Sequence, residues 1–195
     1  MTISRSSTSY IHWNYFLALE EDLDRLSRYV DLVGNNDHTY SIEIARLLLG
    51  ASSEVDVVLK QLAKKHNPSS RASSINSYYP EIIPHCPMFI NFEVLIPRYG
   101  LSLQPWINWS ANNPPIWWQD HNKVKHNRDQ YFDRANLKNC INSIAGLFVA
   151  VLHLYAEAAD RAELLQLPKL FNVADSIFGG VQMGRYGHSF RYRVL

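Results

Sequence analysis

Sulfur is scarce in this chain of 195 residues, with two cysteines, Cys86 and Cys140. That is too few for a disulfide framework, and it points to a reducing, cytoplasmic compartment. An excess of one charge is also missing. Nineteen basic and eighteen acidic residues leave +1, so no global field draws the chain to nucleic acid or to a membrane, and local charge has to supply any such contact. Long apolar runs are absent too. The longest, Ile141 to Tyr155, is interrupted by Asn142, Ser143 and His153 and falls short of the ~20 residues a membrane-spanning helix needs. The start, M-T-I-S-R-S-S-T-S, has no apolar signal core, and residues 1–8 read as a loose arm. There is no Gly-rich phosphate loop, no G-x-S-x-G and no C-x-x-C. His85 and Cys86 are adjacent, and His121 and His126 are five apart. Neither pair has the three- or four-residue spacing that puts two ligands on one helical face, so no metal and no cofactor are expected. Cys140 lies within an apolar stripe and reads as a small core residue rather than a nucleophile.

What is present is an ordinary globular composition, 47% apolar and 19% charged, in a length that suits one domain with a real core, residues 1–195. Helical periodicity dominates. Tyr15, Leu19, Leu23, Leu26, Val30 and Val33 recur at steps of four, four, three, four and three. They predict a first helix over 9–33, capped by Ser9 and stopped by Gly34-Asn35-Asn36. Ile44, Leu47, Leu48, Ala51, Val55, Val58 and Leu62 predict a second over 39–66, forming a helical hairpin with the first. Glu43, Arg46, Glu54 and Asp56 on that helix read chiefly as ion pairs, with acidic groups of a site as the alternative. A late helix over 133–162, capped by Asp133, is apolar on a wide arc and reads as the central one. Its Gly146 would admit a close neighbour.

Between the helices the pattern changes. Prolines at 68, 80, 84 and 87 break the chain around a short helix near 72–79. Ile90, Phe92, Val94 and Ile96 then alternate with Asn91, Glu93 and Leu95, and Leu101 and Leu103 follow a Pro97-Arg98-Tyr99-Gly100 turn. This predicts a β-hairpin insertion over 88–104. Trp106 and Trp109 read as a lid on the core. The tail from Ser176 has no acidic residue, and Phe190, Tyr192 and Val194 alternate with Arg191 and Arg193. That predicts a C-terminal strand with a basic edge, solvated or touching nucleic acid.

The most informative stretch is Trp117 to Arg128, W-W-Q-D-H-N-K-V-K-H-N-R, behind Pro114-Pro115. Proline suits a first helical turn, so a helix over 115–128 is expected. At about 100° per residue, Asn122 and His126 share a face with Trp118 and Asp129. His121, Lys125 and Arg128 fall beside them, while Trp117 and Val124 point to the core.

H-N-K-V-K-H within this stretch resembles the signature of HEPN domains, which are helical bundles, many of them metal-independent ribonucleases. In that signature an Arg, often followed by Asn, precedes a His by four to six positions. Asn122 and His126 match, and His121 stands where the family has Arg. The context I-P-R-Y-G-L-S-L-Q-P-W, W-W-x-x-x-N-K-V-K-H-N-R and A-N-L-K-N-C-I-N-S-I-A-G-L-F-V is similar to uncharacterised bacterial HEPN-like proteins, over most of the chain. The resemblance implies a mainly α, HEPN-like bundle carrying the hairpin insertion and the C-terminal strand. It also implies a ribonuclease or RNA-binding protein of toxin–antitoxin or phage-defence type. His126, Asn122 and His121 would be catalytic, and Lys123, Lys125 and Arg128 would bind phosphate. The implied partners are RNA, a second copy in a homodimer and an antitoxin or operon partner. The competing expectation is a non-catalytic interaction module that uses the same helix, 117–128, as a dimer or partner interface. There Asn122 and His126 would hydrogen-bond into the bundle.

Overall fold

The computed structural model describes residues 9–194, so the arm expected over 1–8 lies outside the described residues. The protein is mainly α. Helices α1 (Ile11–Leu26), α2 (Ile42–His66) and α3 (Ile75–Ile82) precede strands β1 (Val94–Ile96) and β2 (Leu101–Leu103). Then come α4 (Ile116–His126), α5 (Arg128–Tyr131), α6 (Leu137–Leu154) and α7 (Ala156–Asp160), followed by β3 (Asn172–Val173), β4 (Phe178–Gly184) and β5 (Gly187–Tyr192).

Helices α2 and α6 pack most extensively on each other, and the rest of the bundle forms around them. Every apolar residue of the expected α2 stripe is buried. Ser41, not the residues before it, starts this helix, because its side chain accepts from the Ile44 amide. Helix α6 is long and apolar enough to cross a membrane by length and composition alone. Burial of 89% of it inside the fold accounts for that character as core packing. It starts at Asn136, whose side chain accepts from the Asn139 amide at 3.0 Å, rather than at Asp133, which lies in a 3-10 turn. It ends at Tyr155, which leaves helical geometry at φ −102° and ψ 28°.

The first helix is shorter than its periodicity predicts. It stops at Leu26, and Tyr15 and Val33, the two ends of the expected stripe, are exposed. Trp13, Phe16 and Leu17 are buried instead, with Phe16 stacked on Phe148 of α6. Ser9 does not cap the helix. Tyr10 occupies that position with no side-chain cap.

The hairpin is present but shorter than expected: Val94 to Ile96 pair with Leu103 to Leu101. Gly100, at φ +62°, makes the left-handed turn between them. Residues 87–91 form turns instead of strand, with Phe89 and Phe92 buried against His153. A third strand, β3, adds to the other edge of β1, giving the order β2-β1-β3. The C-terminal strand is one arm of a hairpin, β4 paired with β5, interrupted by a bulge between Phe178 and Val181.

Candidate functional site

Helix α4 is seated by its apolar underside. Trp117 and Val124 are buried, as their spacing predicts. The Trp117 indole donates to the Pro105 carbonyl at 2.8 Å and lies over Gly146 of α6, where an added Cβ would come within 2.9 Å of the ring. Trp106 packs against Trp117 and donates to the Gly146 carbonyl. The expected tryptophan lid is therefore the floor that holds α4. A polar clamp fixes the other side of the helix. Asp120 is buried and accepts from Lys123 at 2.9 Å and from Asn139 at 3.1 Å.

The six expected site residues separate into groups. Asn122 and His126 lie four apart on one helix, Asn122 half-buried and His126 exposed. Lys123 is tied to Asp120. Lys125, His126 and Arg128 form no side-chain hydrogen bond or ion pair to the described residues. Arg128 is not on the same helix, because Asn127 leaves helical geometry at φ −140° and ψ 57° and Arg128 opens α5. Trp118 is buried, with its ring against Trp117 and His121, and it lines the same cleft as Asn122 and Lys125.

His121 departs furthest from expectation. It is 4% exposed, and no protein atom partners its Nδ1. Burial pushes its pKa down to about 4, with Lys125 and His126 adding to the effect, so the ring is neutral at physiological pH. It therefore supplies no standing charge in place of an arginine. Its placement follows from spacing: His121 is four after Trp117, three after Trp118 and three before Val124, on the buried arc.

Together with Asn122 and Lys125, His121 lines a cleft of about 380 Å³ facing Ser52 and Asp56 of α2 and Ser73 and Ser74 at the start of α3. Ser52 is fully buried, and its hydroxyl has no protein partner. Ser143, equally buried, bonds back to the Cys140 carbonyl. Asp56 accepts from the Tyr78 hydroxyl at 3.1 Å. Ser52 escapes a reading by motif, yet it stands four after Leu48 and three before Val55, a hydroxyl at a stripe position. The other three charged residues singled out on α2 form pairs: Arg46 with Glu43 and Asp22, and Glu54 with His12 at 2.5 Å.

A larger, apolar groove of about 810 Å³ lies nearby, walled by Ile42, Leu49 and Phe132 with Arg46 and Arg128 at its edge. Both cysteines are buried, and burial disfavours their thiolates. Burial pushes Cys86 up to about 11 and Cys140 up to about 12. Among the described residues no three His, Cys, Asp or Glu side chains gather as a metal site. In comparison with known proteins, the chain matches no family model, no curated protein and no solved structure.

Proposed function

We propose that the protein is a HEPN-like RNA-binding protein whose α4 face contacts the RNA backbone, and that His126 serves there in metal-independent cleavage. The observation that supports this most is the end of α4. Asn122 and His126 share an accessible face, Lys125 is on the same helix and Arg128 opens α5 just after it, and neither cation pairs with an acidic group among the described residues. Cleavage through the 2′-hydroxyl needs a base, an acid and cations for the phosphorane charge. Histidine is the side chain suited to proton transfer near neutral pH, and His126 is the accessible one on this helix. Lys125 and Arg128 supply charge. His121, neutral, takes no cationic part, so the arginine role of the family signature passes to these two residues. By the same resemblance, a two-fold dimer around α4 would double the groups.

Binding is measured by fluorescence anisotropy with labelled single-stranded RNA. Lys125→Glu together with Arg128→Glu is expected to weaken binding at least tenfold and to flatten its salt dependence by about one unit of log–log slope per lost phosphate contact. Unchanged affinity and slope would remove this face from the account.

A second reading, a partner-binding module, is favoured by the apolar groove, where Ile42 is 80% exposed. Light scattering of wild type and Ile42→Glu tests it in the homodimer form. A dimer lost on substitution supports it, and a strict monomer at high concentration counts against both this form and a composite dimeric site.

A further inference from the structure

We infer that the cleft between α2 and α4 is a nucleobase pocket selective for guanine. This rests on the RNA reading for its biological setting but not for its chemistry. The site is built from opposite walls. Asp56 on α2 presents a carboxylate, and Lys125 on α4 presents an ammonium. Ser52, His121 and Asn122 line the same cleft with Trp118, so the lining is rich in hydrogen-bonding groups with one charge of each sign. Helix α3 begins at the same cleft and adds the positive end of its dipole.

Two buried groups point to a ligand independently of that charge pattern. Ser52 Oγ and His121 Nδ1 belong to side chains at least 96% buried by complement of their 0% and 4% exposure, and neither atom has a protein partner. Buried polar groups are nearly always paired; of the four unpaired atoms among the described residues, on Ser52, Trp109, His121 and His153, two line this one cleft. The imidazole is neutral, so it can accept or donate without bringing a charge into the pocket.

A volume of about 380 Å³ suits one base or nucleoside. Among the four bases only guanine carries adjacent N1–H and N2–H donors that a carboxylate can accept in a bidentate pair. Its O6 and N7 acceptors, on the adjoining Hoogsteen side, are left for an ammonium. A carboxylate meets acceptors on both sides of the single N3–H of uracil, and only one amino group on adenine or cytosine. Single-stranded RNA is read along such edges by splayed-out bases.

The test is calorimetric titration of the full chain with guanosine 5′-monophosphate, the other three nucleoside monophosphates and inorganic phosphate. Guanosine monophosphate is expected to bind at least tenfold more tightly than any of the others. Asp56→Asn, which keeps an oxygen for the Tyr78 hydroxyl, should abolish that preference. Ser52→Ala should weaken guanosine monophosphate severalfold while leaving the melting temperature unchanged or higher, a combination that a purely structural hydroxyl would not give. Equal binding of all four nucleotides, or binding no tighter than phosphate, overturns the pocket whether or not the variants fold. RNA binding that depends on Arg128 without any guanine preference sinks the pocket and leaves the RNA reading standing. A guanine preference in a protein that binds no RNA does the reverse.

Discussion

Glu20 on α1 and His121 on α4 are both polar, 2% and 4% exposed respectively, and carried by helices that pack on α2 and α6. Their surroundings differ in kind. The Glu20 carboxylate accepts from three successive backbone amides, of Lys169, Leu170 and Phe171, at 2.9, 2.7 and 2.9 Å. One turn on, Asp24 pairs with Lys169 and with Arg98, and the Lys169 ammonium holds its carboxyl below the usual range. Burial pushes Glu20 up, while its three amides pull it down. This region fastens the segment after α7 onto the bundle, and its polar groups are satisfied. His121 and Ser52 are left without protein partners. A buried polar group that ties two segments together is structural, whereas one that faces a cleft unpaired is available to a ligand.

The contrast breaks if the two regions respond alike to substitution. Glu20→Ala should have the largest effect, because it strands three buried amides. A loss of about 3–5 kcal/mol is expected, seen as a melting temperature about 10 °C lower. A loss under 1 kcal/mol would show that those amides find other partners.

Acid sharpens the comparison. His121 and His153 are each held neutral by burial, with values near 4 against an ordinary 6.5. Between these limits the unfolded chain binds more protons than the folded one. Stability from both rings is therefore complete above pH 6.5 and is lost as pH falls from 6.5 toward 4. Each contributes on the order of 3 kcal/mol. Denaturant melts across that range should show the loss, and His153→Phe should reduce it. His153 is fixed by its Nδ1 donating to the Val149 carbonyl at 2.8 Å and lies between Phe89 and Phe92.

The seat of α4 gives a smaller effect. Gly146→Ala puts a methyl against the Trp117 ring, and a cost of about 1–3 kcal/mol by thermal melt is expected. Ser52→Ala is the smallest, within about 0.5 kcal/mol of zero, because the hydroxyl makes no bond to lose. A large loss there would make Ser52 structural and erase the contrast with Glu20.

Much of the architecture is legible in the chain because it rests on local periodicity. The α2 stripe, the inward faces of Trp117 and Val124 and the turn at Gly100 all follow from spacing and side-chain chemistry. Helix ends are less legible, since they depend on contacts distant in sequence. Asn136 competes with Asp133 as a cap, and nothing in the pattern near Val30 reveals that the first helix has already stopped. The strand β4 is hidden because Gly179, Gly180 and Gly184 dilute its β propensity, and it is held by pairing with β5. At the site, the residue types of α4 are conspicuous, but their division is set by the α2 and α3 walls. Reading His121 for its charge passes over its place on the buried arc, and the kink at Asn127 removes Arg128 from the helix.

The central claim is that the exposed end of α4, with His126, acts on RNA while Trp117 and Val124 on its inner side seat the helix. It is tested most directly by incubating purified protein with RNA in excess chelator and comparing wild type, His126→Ala and His121→Arg, with folding followed by circular dichroism. The account predicts chelator-resistant cleavage that falls by about 10²–10⁴-fold in His126→Ala with the fold intact. It also predicts that His121→Arg, which forces a charge into the buried arc, lowers stability. Cleavage unaffected by His126→Ala, or a wild type inert toward RNA while folded, would contradict it.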